Sequence, residues 1–121
     1  MYYYNPRNKN KYHNVKTKVN NITFDSKLEA KRYTELKLLE KKGLIKDLTL
    51  QPSYELIPSF KKDDKTFRKT CYIADFSYFS NELGKVIVED TKGYSNDTYK
   101  LKRKMFEYLY KDLTIKEVRK R

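Results

Sequence analysis

Two periods alternate along this chain. Between Ser26 and Lys42 the apolar positions Leu28, Tyr33, Leu36 and Leu39 fall on one broad arc at helical spacing. Ser26-Lys27-Leu28-Glu29 opens this segment as a capping box, with Ser26 at the N-cap and Glu29 three residues on, and Gly43 stops it. Glu29 and Arg32 lie inside the apolar arc, not opposite it. A second helical segment is expected from about Asp97 to Tyr110, with Leu101, Met105, Tyr108 and Leu109 as its apolar face. Lys100, Lys102, Arg103 and Lys104 lie beside and opposite that face.

Between and after the helices the pattern shortens to that of strands. Asn21 to Asp25 reads as a short extended lead-in. Asp47-Leu48-Thr49-Leu50-Gln51 is a strand closed by Pro52, and a second runs from Tyr54 to Phe60. Lys61 to Lys65 is a charged turn, and Phe67 to Phe79 is a long run of aromatic and β-branched residues. Asn81-Glu82-Leu83-Gly84 turns the chain into a further strand, Val86 to Thr91. Leu113 to Val118 is the last strand. The predicted fold is of the α/β (α+β) class, a mixed sheet flanked by two helices. Strands joined by short turns should be antiparallel, and the last strand, reached through a helical crossover, should pair in parallel.

A chain of 121 residues suits one domain with a modest core. Its apolar runs are only a few residues long, so no membrane span is expected. Met1-Tyr2-Tyr3-Tyr4-Asn5-Pro6 has no apolar core or small-residue cleavage site, so no secretory signal is expected either. Cys71 is the single cysteine and His13 the single histidine. That excludes an internal disulfide and a Cys/His zinc site within one chain. Any metal site must be built from carboxylates and other oxygens, which suit Mg²⁺ or Mn²⁺.

The formal net charge of +12 is concentrated at the ends. Residues 1–20 hold five basic residues and no acid, residues 97–121 hold nine basic and four acidic, and the stretch between is nearly balanced. Basic ends around a near-neutral middle fit a polyanionic partner, although a lysine-rich chain is also simply soluble. Residues 1–20 read as a flexible basic arm, in which Arg7, Lys9 and Lys11 interleave with Tyr2, Tyr3, Tyr4 and Tyr12. The remaining residues, 21–121, form the predicted domain.

The candidate chemistry lies in Val86-Ile87-Val88-Glu89-Asp90-Thr91-Lys92-Gly93. Alternation puts Asp90 and Lys92 on one face of a strand and Glu89 on the other, so Glu89 is not expected as a ligand. Asp75 interrupts the apolar run Cys71-Tyr72-Ile73-Ala74-Asp75-Phe76. Asp75 stands six residues before the Asn81–Gly84 turn and Asp90 six after it, so the two should be near-opposite partners on adjacent strands. Facing carboxylates repel unless a proton or a cation separates them. Asp75, Asp90 and the Thr91 carbonyl are the expected ligands of one Mg²⁺ or Mn²⁺, with Lys92 orienting a water. Glu29 could complete the acidic cluster, and Gln51, at a strand end, is a minor candidate.

At these residues the chain resembles the PD-(D/E)xK nuclease superfamily, and in particular its small phage-encoded members, related to Holliday-junction resolvases. The signature is an acid on one strand, then acid-x-lysine on the next, often with a glutamate on the preceding helix. Here these positions are Asp75, Asp90-Thr91-Lys92 and Glu29, and Ala74 stands where the signature's proline would be. The resemblance covers residues 26–118. It implies a restriction-endonuclease-like core with the order α-β-β-β-α-β, and a Mg²⁺-dependent endonuclease acting on duplex or branched DNA in recombination, repair or processing. It further implies action in the cytoplasm of a bacterial host. A homodimer would suit paired cuts. Lys100, Lys102, Arg103 and Lys104 would hold the DNA backbone.

Each of these residues also has a plainer reading. Asp90 and Lys92 could form an exposed ion pair, Asp75 could satisfy a lysine or a turn, and Glu29 could serve only the cap or a pair with Arg32. The whole chain could be a nucleic-acid-binding module that cuts nothing. Its 12 tyrosines and 6 phenylalanines could instead supply a protein-docking surface.

Overall fold

A computed structural model of the protein describes residues 16–92 and 96–119. Arg7, Lys9 and Lys11 lie outside the described residues. Those described form an α+β fold of two helices and ten strands. The chain begins with a hairpin, β1 (Thr17–Val19) and β2 (Ile22–Phe24), followed by α1 (Lys27–Lys41). Residues 17–19 were expected in the arm; they pair with β2 instead, and Val19, Ile22 and Phe24 pack towards α1.

The ends of α1 follow the local code. The Ser26 side chain accepts from the Glu29 N–H at 3.1 Å. At the other end Leu44 N–H donates to Leu39 O and Gly43 N–H to Glu40 O, each at 3.0 Å. This is a Schellman closure, and it requires the left-handed backbone that Gly43 adopts at φ 77°.

The main sheet has four strands in the order β10 (Thr114–Arg119), β9 (Lys85–Lys92), β8 (Phe76–Ser80), β3 (Ile45–Leu50). The β8–β9 and β3–β8 pairs are antiparallel. The β9–β10 pair is parallel, joined through α2 (Asp97–Leu109). A second antiparallel pair continues outward, made of β4 (Ser53–Ile57) and β7 (Thr70–Ile73). Beyond it lies a ribbon of β5 (Phe60–Lys62) and β6 (Lys65–Phe67). The runs expected as single strands, Tyr54–Phe60 and Phe67–Phe79, are therefore broken.

One break matters for the site. Pro52 cannot donate to a ladder, and Gln51 before it sits at a left-handed φ of 49°. The facing strand breaks at the same level, between β7 and β8. Tyr72 and Ala74 belong to one core cluster, whereas Phe76 and Tyr78 belong to the other. Two-residue alternation would have kept all four on one face. The chain changes face at Asp75.

The two clusters lie on opposite sides of the sheet, because the β9 neighbours Ile87 and Val88 enter different ones. One gathers Tyr33 and Leu36 of α1 around Phe76, Tyr78 and Ile87. The other sets Tyr99 and Phe106 of α2 against Tyr72, Val88 and Ile115. The expected face of α2 is the wrong one: Leu101, Tyr108 and Leu109 are exposed, and only Met105 of that set packs inward. Phe106 decides the orientation, because its ring meets Tyr54, Tyr72 and Tyr110 at centroid distances of 5.0–5.4 Å. Among the described residues no helix is long and apolar enough to cross a membrane.

Candidate functional site

Asp75 is pinned at the kink by its own backbone. Its N–H donates to Glu89 O at 3.1 Å, and its carbonyl accepts from Gln51 N–H at 2.9 Å. Gln51 thus contributes through its main chain. The β8–β9 register pairs Phe76 with Glu89, which extends to Asp75 opposite Asp90, the pairing that the turn count predicts.

Asp75 Oδ2 accepts from the Thr91 N–H at 2.7 Å and from the Thr91 hydroxyl at 2.6 Å. A strand residue sends its N–H and C=O out of the same edge. The Thr91 carbonyl therefore leaves β9 on the edge that faces Asp75, as a third oxygen donor there requires. Asp90 is buried, and its Oδ2 accepts from the Tyr72 hydroxyl at 2.5 Å. Asp75 and Asp90 are thus cross-strand neighbours whose carboxylates are held by different partners. The shared face expected from alternation does not carry through the kink.

Glu29 is buried on α1, and its carboxyl titrates near pH 7. Burial is the largest cause, and the negative charges of Asp75, Asp25 and Asp90 add to it in that order. Asp75 is felt from the other side too. The Tyr72 hydroxyl is pushed well above its usual range by burial, by its bond to Asp90 and, to a lesser degree, by the charges of Asp90 and Asp75. Glu29 on α1 is therefore within electrostatic reach of Asp75 at the kink, of Asp25 and of Asp90 on β9.

The plainer reading of Glu29 as half of a pair with Arg32 fails. Arg32 reaches across to Glu89, donating from Nε to Oε1 and from Nη2 to Oε2, both at 2.7 Å. Glu89 is fully buried and also accepts from the Tyr78 hydroxyl. Glu89 is thus a structural acid on the α1 face, satisfied by a forked guanidinium and a phenol. Its place off the Asp90 face was readable from alternation; its partner, 57 residues away, was not.

Lys92 ends β9 in register with Arg119, and its side chain lies outside the described residues. On α2, Lys100 and Lys104 are exposed and Lys102 is half-buried. Arg103 is held at 3.0 Å from Glu117 and 3.7 Å from Glu107. Tyr99 also donates to Glu117 at 2.7 Å, which with Arg119 and Arg103 holds that carboxyl below its usual range despite some burial. Sequence reasoning missed Tyr72 and Tyr99. The only signal was the abundance of tyrosine, which named none of them.

Hard oxygen donors are the chemistry that Mg²⁺ or Mn²⁺ takes. Among the described residues, no three acidic, cysteine or histidine side chains converge closely enough to hold a metal ion. The expected donor set is of another kind, two carboxylates and one main-chain carbonyl; the residues fit it in type, and the Thr91 carbonyl also by the edge from which it leaves β9.

A family profile described as "Protein of unknown function (DUF1064)" matches residues 9–121. The chain belongs to this family. No curated protein and no solved structure matches it. The match begins within the basic segment ahead of β1 and takes in every element that builds the site.

Proposed function

We propose that this DUF1064 protein is a metal-dependent endodeoxyribonuclease with a PD-(D/E)xK-type site. The observation that supports the proposal is the register that sets Asp75 opposite Asp90, with Glu29 within electrostatic reach of both. They come from α1, from the kink before β8 and from the end of β9, in the order of the nuclease signature. Within the four-stranded sheet, leaving aside the inserted β4–β7 segment, the order α1, β3, β8, β9, α2, β10 with the last strand parallel to β9 is compatible with the expected α-β-β-β-α-β order.

Asp75, Asp90 and the Thr91 carbonyl would hold Mg²⁺ or Mn²⁺. When bound, the ion supplies a more acidic water and offsets charge on the phosphate. The chain's own residues do the rest. Thr91 orients Asp75 through two hydrogen bonds, and Tyr72 orients Asp90. Glu29, buried on α1 and within electrostatic reach of both aspartates, would complete the acidic cluster. Lys92, two residues after Asp90, would supply an ammonium to orient the attacking water.

The test is incubation of labelled duplex, single-stranded and four-way-junction DNA with Mg²⁺, Mn²⁺ or EDTA. Cleavage should require the divalent ion and disappear in Asp75→Asn, Asp90→Asn and Lys92→Ala, each with parental circular dichroism. Undiminished cutting by Asp90→Asn and Lys92→Ala would remove the site. Tight binding without cutting in any metal arm would reduce the protein to a binding module.

A further inference from the structure

We infer that the β5–β6 ribbon is a finger that grips duplex DNA through a groove and delivers it to the acidic site; the inference rests on the nuclease reading above. The ribbon is the far end of one long hairpin whose base, β4–β7, packs on α2 through Leu56 and Tyr72. Every residue of β5 and β6 is exposed. A lone two-stranded ribbon buries little and is marginal by itself, so a projection of this kind adds nothing to the core.

What it presents is chemically one-sided. The register pairs Phe60 with Phe67 and Lys62 with Lys65, and two-residue alternation puts all four on one face. The two phenyl rings stack on each other at 4.8 Å with planes 10° apart, and the Lys65 ammonium lies 5.0 Å above the Phe67 ring. Lys62 and Lys65 are directly opposed, and like charges across a strand pair destabilise it. An anion lying between them removes that repulsion. Over residues 60–69 the chain carries five cations and two acids. Those acids, Asp63 and Asp64, occupy the left-handed turn at φ 52° and 62°, where short polar side chains are tolerated.

The occupant that fits is duplex DNA. A two-stranded ribbon has the width the major groove admits. The phenyl rings are turned to each other, which disfavours the open stacking platform that a single strand uses. The ribbon also continues without interruption of the chain into β7 and then Asp75, roughly 25 Å further along extended backbone. A duplex held by Lys62 and Lys65 is thereby tethered to the segment that carries Asp75.

The experiment uses the full chain and fluorescein-labelled duplex DNA in EDTA, followed by anisotropy across a KCl series. The Lys62→Gln/Lys65→Gln double variant should bind more weakly at each salt concentration. Its slope of log affinity against log salt should be shallower by about two. Lys41→Gln/Lys42→Gln, at the far end of α1, should keep the parental slope. With Mg²⁺, the Lys62→Gln/Lys65→Gln variant should show a raised KM and parental turnover at saturating DNA. If the parent cuts DNA and this variant matches its slope and KM, the finger is wrong and the nuclease stands. Stronger binding to single-stranded than to duplex DNA by the parent would also overturn it. A parent that neither binds nor cuts DNA removes the nuclease reading and the finger with it.

Discussion

The Tyr72 hydroxyl donates to Asp90 Oδ2 at 2.5 Å, joining the strand that leads into the kink to the strand that carries the acid-x-lysine motif. Asp90 is buried, so this bond supplies part of the solvation its charge has lost. Tyr72→Phe keeps the ring packing on Phe106 and removes only the donor. The expected loss is about 1–3 kcal/mol in urea unfolding at neutral pH. A variant as stable as the parent would mean that the hydroxyl does not serve the buried carboxylate.

The buried Arg32–Glu89 pair makes a sharper demand on stability. Arg32→Met leaves Glu89 charged, fully buried and served by Tyr78 alone among the bonds described for it. That should cost about 3–5 kcal/mol. Glu89→Gln should cost less, because the amide oxygen still accepts from one arm of the guanidinium. A double-mutant cycle from denaturant curves checks the coupling, and additive losses would contradict it.

Glu29 gives the metal-free protein a pH signature. Its carboxyl ionises near pH 7 in the folded chain, against 4.5 for the ordinary group, so the folded state binds more protons between those values. Stability from this group is therefore full below about pH 4.5, falls as pH rises towards 7 and is level above that. The total fall should be on the order of 3 kcal/mol. Glu29→Gln, measured beside the parent in EDTA, should remove this fall. An unchanged pH slope in that variant would place the titration elsewhere.

The two stripes of α2 should respond in opposite ways. Phe106→Ala empties the centre of the second cluster and should cost about 3–5 kcal/mol. Leu101→Ser and Tyr108→Ser alter exposed positions and should stay within about 0.5 kcal/mol of the parent. Thermal or urea unfolding separates the cases directly.

Much of this was legible in the chain because it is local. The Ser26 cap, the Gly43 closure and the β-branched run before Asp90 are set by neighbours a few residues apart, so spacing and residue type were enough. The opposition of Asp75 to Asp90 was legible too, since a short turn lets residues be counted outward from it. The face of α2 was not. Tyr99, Phe106 and Tyr110 satisfy helical spacing as well as Leu101, Met105 and Tyr108 do, and periodicity cannot say which stripe the sheet will meet.

The same limit governs the acids. Composition and order along the chain were sufficient to name Glu29, Asp75 and Asp90 and to require oxygen chemistry, because one cysteine and one histidine leave nothing else. Folding assigned them their neighbours. Pro52 and Gln51 break one strand, the facing strand breaks with it, and Asp75 turns to Thr91 while Asp90 turns to Tyr72. Arg32 bypasses Glu29 for Glu89, and Glu29 is left among like charges with a proton to hold. Those outcomes depend on contacts between residues far apart in the chain, where packing and burial outweigh any preference written in a short stretch of sequence.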